Sequence, residues 1–242
     1  MLRPINRRKA EVLVMLSDIS QEDHDRLKQL GAADNKFWST DDAAHAPLVA
    51  AFRSEVKTYY WQRQARRCCY CSKELDESKA AYDAEHIVHK DEFPQFMFEL
   101  TNLSVACKTC NGVKKNKNVF ALDVSLEEVP HLSSEYIVVH PHLDEWHEHF
   151  SFDAISRIVP LNGSAKGAET IEVCGINYLN AARLADYFLP AEFGAVQSAL
   201  EGFFRVKRRG WKIKYLSVLN GLVSDLNYEP ARTIIEALRD EV

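Results

Sequence analysis

The chain has 242 residues, 46% of them hydrophobic and 27% charged, with a formal net charge of -5. That length and apolar content suffice for one large domain or two small ones. The acidic balance excludes a protein that coats nucleic acid with its whole surface, though not one with a local basic contact. No apolar run approaches the roughly twenty residues of a membrane span, and Met1 to Lys9 lack the apolar segment of a secretory signal, so a cytoplasmic location with no membrane partner is expected.

Taken in order, residues 1–10 read as a basic extended arm, and Lys9 to Leu16 as a short helix. Ser20 with Asp23 three residues on predicts a helix N-terminus, and Gly31 predicts its end. Pro47 marks the first turn of a long helix, carried to Gln64 by Leu48, Phe52, Val56, Tyr59 and Tyr60 near the helical period. An N-terminal helical region over 1–64 follows, packed on what comes next, with nothing catalytic in its long helix.

The chemistry concentrates in 65–120. Cys68 and Cys71 form one C-x-x-C, Cys107 and Cys110 a second, and two sulfurs on one tight turn can point at a common centre. Four thiolates close a tetrahedral zinc site, and the chain shows no oxidised framework that would favour disulfides instead. Cys69 with Cys71 is an alternative pair, but C-x-C makes a poorer knuckle. Between the pairs, Glu85-His86 follows the strand-like Ala81 to Ala84, and Asn102 precedes a strand over Leu103 to Ala106. Asn111 follows Cys110. His89 is a competing imidazole that strand alternation places on the face opposite His86. The aromatic stretch Phe93 to Phe98 is expected to seal the hairpin against the zinc half. Arg66 and Arg67 precede the first knuckle, and Lys108, Lys114, Lys115 and Lys117 surround the second. If both knuckles fold onto one zinc, these clusters meet and could hold phosphates.

A mixed, mainly helical region fills 121–242. His140, His142, His147 and His149 invite a second metal site, but Pro141 and the period-two start point to a strand entering a turn that scatters them. Phe152 to Val159 and Glu169 to Val173 read as strands separated by Gly163 and Gly167. Helices are predicted over Leu179 to Phe188, from Pro190 through Phe204, over Tyr215 to Leu226 and from Pro230 to Leu238, with Arg205 to Lys214 a basic loop.

The stretch from Cys68 to Lys117 resembles the HNH endonuclease family. The resemblance implies an α+β fold: a ββα-metal HNH core with a four-cysteine zinc site, flanked by N-terminal and C-terminal helices. It also implies that Glu85 and Asn111 hold a catalytic Mg²⁺ or Mn²⁺, that His86 is the general base, and that Asn102 braces the hairpin and orients His86. An imidazole and one hard cation would together activate water and neutralise the leaving group of a phosphodiester. Glu85 departs from the more usual Asp, and Asn111 from the frequent third His. His140, Pro141, Asp144 and Trp146 are similar to the His-Pro-x-x-Asp-x-Trp segment of the HNH subunit in Septu-type and retron-linked anti-phage systems. That similarity implies a partner resembling an ABC/SMC-like ATPase and a nucleic-acid target, DNA favoured over RNA. A free-standing restriction-type nuclease and a non-catalytic zinc-stabilised binding module are the alternatives.

Overall fold

The computed structural model describes residues 9–121, 126–223 and 229–242. The expected basic arm, as far as residue 8, and the last part of the helix expected to reach Leu226 lie outside the described residues. Lys9 to Leu16 are not helical. They run extended, with Ala10 donating to the Pro141 carbonyl at 3.0 Å and Leu13 to the Tyr60 hydroxyl at 3.2 Å. Ala10, Leu13 and Leu16 are buried, so the segment expected as a helix is an extended one that packs its apolar side chains inward.

Helix α1 spans Gln21–Ala33 and is capped by the Ser20 hydroxyl, which accepts from the Asp23 amide at 3.1 Å. Gly31 does not end it. It lies one turn inside, where a Cβ would stand 2.6 Å from the Phe98 ring, so the glycine is there for close approach. Helix α2 spans Ala46–Arg63, with Pro47 in its first turn and Val49, Phe52, Val56 and Tyr60 buried. Phe98 meets Phe52 edge-on at 5.0 Å and Trp38 at 5.5 Å. The aromatic stretch therefore seals against the N-terminal helices, not against the zinc half, because its apolar surface faces the buried side of α2.

Strand β1, Tyr82–His86, pairs antiparallel with β2, Leu103–Cys107, in the register Tyr82 to Cys107 and His86 to Leu103. All of β2 is buried. Its second edge cannot be left to water, and Gln64 closes it: the side-chain oxygen accepts from the Val105 amide at 3.0 Å, and its amide donates to the Val105 carbonyl at 2.9 Å. One side chain thus stands in for a third strand and fixes the end of α2 to the sheet. Helix α3, Lys108–Lys114, follows directly and packs on both strands. It stops at Lys114, where Lys115 turns away with φ +45°.

The chain divides into two compact units, one of residues 1–150 and 160–174, the other of 151–159 and 175–242. The N-terminal helices and the cysteine-rich stretch share the first unit. Short helix α4 is Trp146–His149. Strands β3, Phe150–Phe152, and β4, Ile158–Pro160, form a two-stranded sheet. The predicted strand at Glu169 to Val173 is instead helical, within α5, Ala165–Val173. Ser164 caps α5 through the Gly167 amide, and Gly167 is needed because a Cβ would fall 2.5 Å from the His149 carbonyl. The second unit holds α6 (Ile176–Ala185), α7 (Phe193–Arg205), α8 (Arg209–Val223) and α9 (Glu229–Arg239). Leu184, Leu200, Phe203, Leu219, Ile235 and Leu238 form its core. The basic stretch expected as a loop is helical from Arg209 onward.

Candidate functional site

Two knuckles bring Cys68, Cys71, Cys107 and Cys110 together, all buried, with ligating sulfurs within 4.8 Å of one another. The Sγ atoms of Cys71 and Cys107 are 3.8 Å apart. A tetrahedron with Zn–S bonds of about 2.3 Å has edges of about 3.8 Å, so the donor set fits zinc. No disulfide joins any of the six cysteines, and Cys69 is not part of the group of four. Burial pushes the Cys68 thiol up, yet hydrogen bonds from Cys107, Cys110, Cys69 and Cys71 outweigh it and hold Cys68 well below the usual range. Cys71 and Cys110 are pushed well above it, led by their bonding to Cys107. The sealed Cys71 and Cys110 thiols, which resist ionising on their own, become compatible with the cluster once a dication takes the place of their protons.

Each knuckle is built by local bonds. In the first, the Cys68 amide donates to the Lys73 carbonyl at 2.9 Å and Ser72 to the Cys68 carbonyl at 3.1 Å, with Ser72 at φ +56°. In the second, Cys107 is the N-cap of α3, its sulfur accepting from the Cys110 amide at 3.4 Å.

Beside this cluster, β1 and α3 place the expected site residues as follows. His86 is partly buried, its Nε2 is 3.0 Å from the Met97 carbonyl, and its ring stands edge-on to Trp38 at 4.4 Å. A carbonyl only accepts, so the proton is on Nε2 and Nδ1 carries the lone pair. Burial, helped by Lys90 and Lys114 against the Met97 bond, lowers its pKa to about 3, so the ring is neutral. Asn102 is fully buried and clamps the loop after β1: its oxygen accepts from the Val88 amide at 2.8 Å, and its amide donates to the carbonyls of Val88 at 3.0 Å and Phe96 at 3.1 Å. That loop carries Met97, so Asn102 fixes the partner that orients His86.

Glu85 and Asn111 are not brought onto one point. The Glu85 carboxylate is sealed from solvent, with Oε1 2.7 Å from the Lys114 ammonium and 3.1 Å from the Tyr70 hydroxyl. Burial raises its pKa against the pull of Lys114. Asn111 donates instead to Asp83 at 2.8 Å, and Asp83 also pairs with Lys108. Asp83 and Glu85 share a face of β1 because they are two residues apart, and α3 lays Lys108 and Asn111 over the first and Lys114 over the second. As folded, then, these donors do not fit a divalent cation: the carboxylate already holds a cation, the Lys114 ammonium. Asp83 escaped the sequence reading, although its two-residue offset from Glu85 was the available signal.

His89 lies just past β1, so strand alternation does not place it. It is buried and directs Nε2 toward Glu92 at 3.4 Å. Among the basic candidates, Arg66 stacks on Trp61 at 4.7 Å, and Arg67 donates to the Ser72 carbonyl at 2.8 Å. Lys117 donates to the Val173 carbonyl at 3.0 Å, and Lys115 is exposed. Lys114 is 1% exposed and is spent on Glu85 and on the His86 carbonyl at 2.8 Å, so it does not reach a phosphate as expected.

The histidine-rich segment forms no metal group among the described residues. Its side chains tie other parts together. His142 reaches the Leu103 carbonyl of β2 at 2.7 Å and the Ala10 carbonyl at 3.2 Å. Asp144 accepts from the His140 amide at 2.7 Å and from Lys166 at 2.6 Å. Trp146 donates to the Tyr70 carbonyl inside the first knuckle at 2.8 Å. Among the described residues no helix is long and apolar enough to cross a membrane.

No protein-family model matches the chain. The Septu protein PtuB of Bacillus thuringiensis is 34% identical over 59 residues, which cover 24% of this chain and 23% of that protein. The chain thus matches less than a quarter of that relative's length.

Proposed function

We propose that the chain is a zinc-braced HNH endonuclease that hydrolyses phosphodiester bonds of nucleic acid, DNA in preference to RNA, as the nuclease component of an anti-phage defence complex. The observation that carries the reading is His86: its one N–H is spent on the Met97 carbonyl, which leaves Nδ1 with a lone pair directed to take a proton from water. Support comes from the antiparallel pair β1–β2 followed by α3, the frame in which the ββα-metal family sets its histidine, and from the Asn102 clamp. The similarity to Septu protein PtuB supports the defence setting and a partner resembling an ABC/SMC-like ATPase that gates cutting.

In this reading, water adds to phosphorus as its proton passes to Nδ1 of His86, and the P–O3′ bond breaks as the departing 3′ oxygen takes a proton from solvent. No step is routed through Mg²⁺ or Mn²⁺, because Glu85 and Asn111 are committed to Lys114 and Asp83. The second reading, a zinc-stabilised binding module without catalysis, is favoured by that same Glu85–Lys114 pair.

The test compares wild type with His86→Ala on plasmid DNA and total RNA, with Mg²⁺ or Mn²⁺ added, alone and with the partner ATPase. Cutting that vanishes in the variant is the expected result. Full cutting by His86→Ala sinks the assignment, and a zinc-loaded wild type that never cuts moves the binding module to the front.

A further inference from the structure

Four cations crowd the outer side of β1 with one carboxylate among them. Lys57, on α2, sends its ammonium to the carbonyls of Lys79 and Tyr82, the latter at 2.6 Å, and lies 4.8 Å from the Tyr82 ring. Lys79 donates to the Ser54 hydroxyl at 2.7 Å. Lys108 pairs with Asp83. Arg53, one turn before Lys57, holds its guanidinium 5.5 Å above the Trp38 ring, and the edge of Trp38 rests on His86. Burial lowers the pKa of Lys57, Asp83 opposes this, and the charges of Lys108, Arg53 and Lys79 lower it further. Among the described residues Asp83 is the one carboxylate ion-paired within this group.

Like charges held this close repel one another, and a fold retains such a cluster at small net cost only where an anion relieves it. Arg53, Lys79 and Lys108 are exposed, so the anion can reach them. The cations are drawn from α2, from the turn before β1 and from the start of α3, so they offer a backbone several contacts, and Trp38 joins the cluster to His86.

We infer that Arg53, Lys57, Lys79 and Lys108 form the cradle for a nucleic-acid backbone, leading the strand past Trp38 to His86. This rests on the nuclease reading and adds a wall to it that the sequence did not indicate, since three of the four cations lie outside the two knuckles. Polyphosphate backbone is the occupant that fits a row of exposed cations without a base-reading pocket.

The experiment uses the full, zinc-loaded chain without other added divalent cations. Fluorescence anisotropy measures binding of labelled DNA and RNA oligonucleotides across a salt series. In Arg53→Gln/Lys79→Gln, affinity is expected to fall at least about tenfold near 100 mM salt, with the slope of log affinity against log salt flattened by about two. The charge-matched control Lys28→Gln/Arg239→Gln should bind as wild type, with zinc content and circular dichroism unchanged in both. An equal loss in the control, no loss in the test pair, or no binding by wild type overturns the cradle. So does equally tight binding of polyaspartate, which would make the surface a dock for an acidic protein. The two readings separate cleanly. Wild type that cuts while the Arg53/Lys79 pair binds and cuts normally removes the cradle alone. A chain that binds through these residues but never cuts retains the cradle and removes the nuclease.

Discussion

Lys114 places its ammonium 2.7 Å from the Glu85 carboxylate, and both side chains are almost wholly sealed from water. The ammonium also reaches the His86 carbonyl, so one side chain of α3 binds the end of β1 twice. Removing one member of a buried pair leaves the other without compensation, which costs about 3–5 kcal/mol. Lys114→Met is therefore expected to lower stability in urea by an amount near the bottom of that range, because the raised pKa of Glu85 lets the carboxyl take up a proton. Adding Glu85→Gln should recover part of the loss. If Lys114→Met is as stable as wild type, the pair is not what fastens α3 to β1.

The four-cysteine cluster predicts one zinc per chain. Cys107→Ser is expected to lose the metal while its hydroxyl can still cap α3 in place of the sulfur, so both knuckles should loosen through the lost ion alone. Cys69→Ser should keep zinc, since Cys69 is outside the group of four. Mass spectrometry under native conditions and a colorimetric zinc release assay would count the ion. Loss of zinc from Cys69→Ser would reassign the first knuckle to the C-x-C pair, and retention by Cys107→Ser would remove Cys107 from the site.

Much of this arrangement was legible because it depends on local spacing. Two C-x-x-C pairs on tight turns, Ser20 three residues before Asp23, and Pro47 in a first turn each act within a few residues, and the structure places all of them as expected. The failures are tertiary. Gly31 reads as a stop signal until Phe98, far along the chain, is seen to need its missing side chain. Glu169 to Val173 alternates like a strand, yet Ser164 caps a helix there. Lys114 looks like one more surface cation in a basic run, and only the fold shows that the run curls one member inward onto Glu85. The three cations contributed by Arg53, Lys57 and Lys79 were invisible because no sequence rule joins α2 to the turn before β1.

Asn102 predicts a sharper phenotype than its size suggests. Its side chain satisfies one amide and two carbonyls of a buried loop, and truncation strands all three. At roughly 1–3 kcal/mol for each buried polar group left unmade, Asn102→Ala is expected to cost several kcal/mol. Asn102→Asp would keep the acceptor for Val88 but turn a carboxylate oxygen onto the carbonyls of Val88 and Phe96, so it is expected to cost at least as much. Hydrogen exchange should show the loop from Ile87 to Asn102 opening in both variants while α2 stays protected. Uniform loss of protection across the first unit would mean that Asn102 supports the whole fold rather than this loop.

His86 makes a prediction about pH in which the sign matters. Burial, with Lys90 and Lys114 nearby, lowers its folded pKa to about 3, below the ordinary value near 6.5. The unfolded chain therefore binds the proton first, and the contribution of His86 to stability is complete above about pH 6.5 and shrinks as pH falls from there toward 3. Two readouts follow. Nitrogen-15 NMR at pH 5 should show His86 neutral, with its proton on Nε2 as the Met97 carbonyl requires. Urea midpoints should drop between pH 6.5 and pH 4 in wild type, and less in His86→Gln, which cannot titrate. If His86 acts as the base, cutting should also persist below pH 6 instead of falling with an ordinary imidazole, because the lone pair on Nδ1 survives there. An imidazole that titrates near 6.5 in the folded chain would show that solvent reaches the ring freely and that neither Trp38 nor Met97 holds it.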